Sequence, residues 1–498
     1  MGGAVKQIAV VTVMAIASYY TGGFIQILTG STLAGAVAGA AAAIAVAAVA
    51  GKALGVGQPN LDDTEPISTY ATSSLQNVSN NNNVVPVAYG EVRLGGVREF
   101  SDLITADNDS LYEIITFTNH EINSFEELFA NNELMTQGTG PDTDKWRFAN
   151  DKILVKVYTV KATPIKAITA YSGGVWTEAN LSSLSFQNTT FLDTDIPDGI
   201  SFIVVYNKFH TADNNQRKDI TARLQGKKIR PINSATEIGI TPIYSINPAE
   251  IELDFLTDSE NFNEDDSKID IESFYASKLL NVTYGFYCNI AFGAKTNLSA
   301  ALQEIKATNR SNLIYSQGFW KVKQDEKNKT ITFNITGDDI VSGSFSWSQS
   351  SARDIGNKVT VSYINPSDQW QTKTSSIENT DLRASDGRIY NKEIQLRGVT
   401  NQAQADIIAE LSLNQYRYTE DEDGNRINVT PMNMTFTTTI KNSTLEVGDM
   451  GTIDYFEIPN IKKLVIMSIR TKQSGELEVI AREYAETHYK DTNGNFII

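Results

Sequence analysis

The stretch VVPVAYGEVRLGGVREF, residues 84–100, decides how the body of this chain reads. Val92 and Leu94 alternate with Glu91 and Arg93, a period of two that sends one set of side chains to each face of a strand. Gly95-Gly96 follows with the spacing of a two-residue hairpin turn, so strand, turn and strand are expected. Downstream, SLYEIITFTNHEI, DKILVKVYTVKA and GISFIVVYNKF repeat the β-branched and aromatic signature of strands. DITARLQGKKIRP adds a strand that should end at a Gly turn before a short basic run, residues 226–230.

Between residues 247 and 280 the pattern changes to a helix, an acidic loop and a second helix. Leu298, Leu302 and Ile305 then mark one face of an amphipathic helix in NLSAALQEIKA. Strands return in GFWKVKQDEKNKTITFNI, and NKVTVSYINPSDQWQTKTSSIE reads as a long hairpin. TNQAQADIIAELSLNQYRY is a helix with Ile407, Ile408 and Leu411 on one side. In PMNMTFTTTI, Met432, Met434, Phe436 and Ile440 fall on one face. The expected fold is mainly β with α+β parts: two β-rich modules with associated helices, separated by an α/β module.

The front of the chain has a different composition. Residues 7–51 contain no Asp, Glu, Lys or Arg, and LAGAVAGAAAAIAVAAVAG, residues 33–51, would span about 28 Å as a helix, close to the hydrocarbon thickness of a bilayer. Three readings stay open. Lys6, the apolar run 8–16 and Ala15-Ile16-Ala17 give a thin signal-peptide pattern. A resident membrane anchor is the second, although only Lys6 and Lys52 flank the run. The third is a helix pair packed inside an oligomer, with Gly35, Gly39, Ala43, Ala47 and Gly51 as the small-residue face that lets backbones approach closely. Residues 58–83, rich in Ser, Thr and Asn, read as a polar arm.

Charge and motifs exclude several functions. The chain has 498 residues, with 42 Lys and Arg against 59 Asp and Glu, net −17. That balance opposes a surface built to grip nucleic acid, but suits one that a polyanion slides past. The single Cys288 rules out an internal disulfide framework, and its aromatic neighbours suggest a buried, inert thiol. His120, His210 and His488 lack metal-ligand spacing and read as surface or interface residues. HEINSFEEL has Ser124 where a zinc helix needs its second His, and GEVRLGG lacks the Lys of a phosphate loop. DEDGN and DTNGN, residues 421–425 and 491–495, lack the glycine of a calcium loop and read as solvated turns. The acidic run 250–272 reads as a solvated loop rather than a glycosidase carboxylate pair, and GKKIR as a surface turn or subunit contact. No catalytic residue, metal site or cofactor is expected.

Nine phrases in fixed order carry a resemblance: VPVAYGEVRLGG, ITARLQGKKI, NPAEIELDFLTD, IDIESFYASKL, YCNIAF, LIYSQGFWKV, NKVTVSYINP, TNQAQADIIAELSL and LEVGDMGTIDY. Together they resemble the hub portion of phage tail tip or baseplate proteins, the host-specificity protein J family of lambda-like siphophages and its relatives in gene transfer agents. The resemblance implies a homotrimeric structural hub at the distal end of the tail tube, with tube-like β-barrel or sandwich modules in a pseudo-sixfold ring. Its implied partners are tail tube or distal tail proteins, tip fibre or receptor-binding proteins, and DNA passing through the lumen without specific binding. On this reading the divisions are an apolar helical segment at 1–57, the arm at 58–83, and a first β-module at 84–233 with an inserted β-subdomain near 110–200. An α/β module at 234–345, a second β-module at 346–455 and a distal β segment and tail at 456–498 complete the chain. The apolar segment then plugs the lumen or enters a host membrane during genome ejection. The rivals are a membrane-anchored surface adhesin or envelope subunit with β-rich external domains, and a carbohydrate-active enzyme resting only on the acidic residues.

Overall fold

The computed structural model describes residues 77, 84–105, 107–208, 217–293, 298–327, 329–349, 356–420, 425–427, 429–458, 460–491 and 496–497. The apolar segment 1–57, with Gly35, Gly39, Ala43, Ala47 and Gly51, lies outside them, as does His210. The described chain is mainly β with few helices, as its alternating texture requires. Among the described residues no sheet closes into a barrel, because every sheet keeps two edge strands.

The opening stretch corrects its own reading. Glu91–Gly95 pairs with Ile220–Ile229 in one sheet, whereas Val97–Ile104 pairs with Asp107–Thr118 in another. Gly95-Gly96 is therefore a crossing between sheets and not a hairpin turn. The reason for glycine is steric: a Cβ on Gly96 would lie 2.5 Å from Ile115 Cγ2 and 2.7 Å from Thr116 O. Sequence spacing registers two adjacent glycines but not which face of a neighbouring strand they cross.

The two sheets joined there stack face to face. One runs Val97–Ile104, Asp107–Thr118, Ser201–Lys208, Ile153–Tyr158, Lys145–Phe148, Thr136–Gln137; the other centres on Ile220–Ile229, flanked by Glu91–Gly95 and Ile122–Ala130. Val92, Leu94, Ile115, Phe117, Leu128, Val155, Ile203 and Leu224 fill the space between, with Trp370 and Ile364 reaching in from the later hairpin. The other face of the larger sheet is also covered. Tyr112, Ile114, Phe202 and Val204 pack under Ile165, Leu181, Phe186, Phe191 and Ile196 from the segment between residues 159 and 200. Asp102 fixes that cover, accepting from the backbone N–H and side chains of both Asn188 and Thr189 at 2.8–2.9 Å.

Helices Pro248–Thr257, Ile271–Tyr284 and Leu298–Ala307 surround a second core with Ile251, Leu253, Leu256, Phe274, Leu302 and Ile305. Each of the first two starts at an Asn or Asp cap, Asn247 and Asp270, whose side chain accepts an orphan N–H. Strand Lys358–Asn365 lies between Gln371–Glu378 and Asn391–Leu396, and helix Gln402–Arg417 covers the face carrying Val359, Val361 and Tyr363. The last sheet has six strands, Ile331–Thr336, Met450–Asp454, Lys462–Thr471, Leu477–Glu483, Met432–Thr438 and Ser346–Gln349. Met432, Met434 and Phe436 face its core as expected, but Ile440 lies past the strand end and is 69% exposed. A bridge between Ile340 and Thr438 draws the loop after the first edge strand onto the far side of this sheet.

Candidate functional site

The first β-sandwich and the helical block meet along one close contact. The strand Ile220–Ile229 does not stop at Gly226, contrary to the expected turn, but runs through it. Gly226 donates its N–H to Gly90 O at 2.7 Å, and a Cβ there would stand 2.3 Å from Ala88 O. Gly90, at φ +67°, has Asn289 Oδ1 and Cys288 O at 2.3 and 2.4 Å from an added Cβ. Three segments remote in sequence thus touch backbone to backbone. Val87–Tyr89 completes the contact by pairing antiparallel with Ile290–Phe292.

Asn289 is the polar centre of this junction. Its Oδ1 accepts from Glu91 N at 2.8 Å, its Nδ2 donates to Thr400 Oγ1 at 2.7 Å, and its own N–H donates to Gly398 O at 2.9 Å. Gln404 then ties helix Gln402–Arg417 to the same place, donating to Tyr287 O and Thr308 O. The sequence reading missed Asn289 and Gln404 as single residues, although the phrases YCNIAF and TNQAQADIIAELSL contain them.

The basic and acidic runs, read separately as exposed, meet each other here. Tyr89 Oη donates to Asp254 Oδ2 at 2.8 Å, and Lys227 pairs with Asp254 and Asp258 at 2.7 and 2.5 Å. Lys228 pairs with Glu121 and Arg230 with Asp266. Burial and then the Asp254 charge push the Tyr89 phenol well above its ordinary range; Asp254 holds Lys227 protonated against its own desolvation. The front of the acidic run is helix rather than solvated loop, with Glu250 and Glu252 buried. Glu252 accepts from Ser311 Oγ at 2.7 Å; burial drives its carboxyl up and the neighbouring Lys306 ammonium down.

His120 is part of the seam. Its Nε2 accepts from Ala88 N at 2.9 Å, so Nδ1 carries the proton and faces Glu121 O at 2.9 Å. Burial lowers its pKa to about 4. His488 is also buried, with Nε2 at 2.6 Å from Tyr418 O.

A second polar knot joins the C-terminal segment to the helices. Asp325 accepts from Arg310, Gln415 Nε2 and Tyr489 Oη, and the Arg310 side chain has no exposure. Burial pushes the Asp325 carboxyl up, but the Arg310 and Lys329 charges overcome it and hold the pKa at about 2. The Cys288 thiol is fully buried and driven upward by burial, as its aromatic neighbours suggested. Among the described residues no group of His, Cys, Asp or Glu could hold a metal, and no helix is long and apolar enough to cross a membrane. Of the two calcium-like turns, only Asn425 and Asp491 are described. What the arrangement does is hold remote segments of the chain against one another.

Known proteins supply the context. Residues 298–454 match the family model described as putative phage tail protein. A chain from the virion of a native gene transfer agent particle shares the fold end to end, at 14% identity and TM-score 0.57, covering 90% of this chain and 98% of that one. The 43 kDa tail protein of prophage MuSo2 from Shewanella oneidensis aligns over 82% of this chain and 99% of its own at 9% identity and TM-score 0.27. A tail protein from Neisseria meningitidis aligns over 80% and 98% at 9% identity and TM-score 0.29. No curated protein matches the chain.

Proposed function

We propose that this chain is a structural subunit of a phage-type tail, the homotrimeric hub at the distal end of the tail tube. The observation that carries the reading is the shared fold over 90% of the chain with a component of a gene transfer agent virion, together with the phage tail family match over residues 298–454. The junction supports a load-transmitting part: sandwich and helical block meet through backbone contacts and strand pairing, and the C-terminal part is tied on by Lys321–Glu446, Lys323–Asp449 and Tyr489–Asp325. Its proximal face takes the tube or distal tail proteins, tip fibre or receptor-binding proteins attach at the rim, and the ring of tube-like modules encloses a channel. The net charge of −17 lets DNA traverse that channel without adhering. The apolar segment 7–51, with its Gly35 and Gly39 face, plugs the lumen or enters a host membrane on opening. The role is mechanical, with no cofactor.

Electron microscopy of intact particles carrying a gold label on the C-terminus of the full chain tests this. The label is expected at one end of each tail, in complexes that sedimentation shows to be trimers of this chain. Label spread along the tube, or on the head, overturns the assignment.

A further inference from the structure

The crossing at Gly95-Gly96 opens a gap in a strand ladder, and one residue from earlier in the chain fills it. Strand Ile220–Ile229 has Glu91–Gly95 on one side and Ile122–Ala130 on the other; Thr221 faces Gly95, and Ile220 faces Ala130. Gly96 would be the next partner of Ile220, but the chain turns there into the other sheet, where Val97 faces Thr116. The side chain of Asn77 takes the empty place. Its Oδ1 accepts from Ile220 N at 2.5 Å and its Nδ2 donates to Ile220 O at 2.7 Å, the paired exchange that a neighbouring strand residue makes in an antiparallel ladder. Nδ2 also reaches Gly96 O at 3.3 Å, so the amide bonds both sides of the gap.

The backbone of this residue is held as well. Asn77 N donates to Asp219 Oδ1 at 3.3 Å, and Asn77 O accepts from Arg98 Nη1 at 3.3 Å. Arg98 is itself bound to Lys218 O and Asp219 Oδ1 at 3.0 and 3.1 Å, and it pairs with the buried Glu113. Asn77 is buried although it belongs to a stretch whose composition reads as a polar arm. The residue type matters, because an amide carries a donor and an acceptor in one plane. Aspartate would bring no donor to Ile220 O and Gly96 O, and alanine would leave both backbone groups of Ile220 without this partner in a buried place.

We infer that Asn77 is the fixed end of the N-terminal arm, a side-chain clasp that fastens residues 1–76 to the edge of the first sandwich. Only what the arm carries rests on the tail-hub reading: residues 52–76 extend to about 85 Å at ~3.4 Å per residue, which bounds how far the apolar stretch 7–51 travels from the clasp. Spin labels on Ser74→Cys and Glu99→Cys in the full chain report the clasp, because the sole native Cys288 is buried and Glu99 is exposed. Diluted with unlabelled chain, so that pairs within one chain are read, the labels should give one narrow distance. Asn77→Asp and Asn77→Ala should broaden and lengthen it and speed hydrogen exchange about tenfold in peptides covering 94–100 and 217–222, with the Met432–Thr438 strand unaffected. A broad distribution with Asn77 in place overturns the inference without recourse to a weakened variant. So does faster exchange at 217–222 with the distance unchanged, which would make Asn77 a local filler and not the anchor of the arm. Either failure leaves the trimer and the end-of-tail label untouched, so the two readings fail separately.

Discussion

Replacing Gly226 by alanine tests whether the junction is set by backbone contact. The φ of Gly226 is not in the left-handed region, so alanine can adopt its conformation and the effect is purely steric. The new methyl would sit 2.3 Å from Ala88 O and 2.7 Å from Ala88 C, and 3.1 Å from Gly90 O. Relieving that contact moves Val87–Tyr89 away by about 1 Å, a fifth of the usual ~4.8 Å strand spacing. Overpacking of this kind costs about 1–3 kcal/mol, and losing the 2.7 Å bond from Gly226 N to Gly90 O adds about 1 kcal/mol. A local loss near 3 kcal/mol speeds exchange on the order of a hundredfold where opening is sub-global.

Hydrogen exchange resolved by peptide is the right assay, because a chain with several cores need not unfold in one step. Peptides covering residues 85–95 and 222–229 should exchange about a hundred times faster in Gly226→Ala, with the Met432–Thr438 strand unaffected. Gly337→Ala is the matched control. It also lacks a positive φ, and its only close neighbour is Tyr455 Cδ2 at 3.9 Å, so it should stay within about 0.5 kcal/mol of the parent. If Gly226→Ala exchanges within threefold of the parent across the junction, the backbone contact does not hold the blocks together.

Asp325→Asn removes the carboxylate that pairs with the fully buried Arg310 and should cost about 3–5 kcal/mol, seen as early loss of protection in residues 484–491; near-parental protection there would refute a role for this pair in holding the C-terminal segment. Asp102→Ala removes the acceptor of four hydrogen bonds from Asn188 and Thr189 and should cost about 3 kcal/mol, releasing Phe186 and Phe191 to bind a hydrophobic dye. His120 has a folded pKa of about 4 against an ordinary 6.5, so the unfolded state binds more protons between them; the stability its neutral form contributes is present above pH 6.5 and lost as pH falls through 4. The loss is at most about 3 kcal/mol. His120→Asn should flatten the pH dependence of exchange in residues 85–95 across that window, and an unchanged profile would show that His120 stays neutral for no structural reason.

Strand and helix identity was legible because both follow local periodicity. The runs at 153–158 and 201–208 needed only their β-branched and aromatic content, and the run at 402–417 only a 3.6 spacing. Glycine roles were not legible. Gly95-Gly96 and Gly226 looked like turns because turns are the commonest use of glycine, yet both answer to a partner strand more than a dozen residues away. The same blindness affected charge. GKKIR and the acidic run at 250–272 each look solvated alone, since nothing in either says that Lys227 will face Asp254. Buried His488 was misread for the same reason: its partner, Tyr418 O, is 70 positions distant.

The phrases that carried the resemblance are informative about function in a way their individual residues are not. Tyr89, Gly90, Gly226, Lys227, Asp254, Asn289 and Gln404 come from five of them, and all converge on one junction. A position where two backbones touch, or where a buried lysine meets two carboxylates, tolerates little change in size or charge, whereas strand surfaces accept any alternating sequence. The pairing has a further consequence for the surface. Lys227, Arg230, Lys278, Arg310, Lys321 and Lys323 are all bound to carboxylates of the same chain. Cations held this way are less available to phosphate, and the chain as a whole carries a surplus of Asp and Glu over Lys and Arg. A chain of net −17 in which many cations are held by its own carboxylates is suited to standing beside a moving polyanion, which ties the pairing at the junction to the proposed channel by physical chemistry rather than by likeness alone.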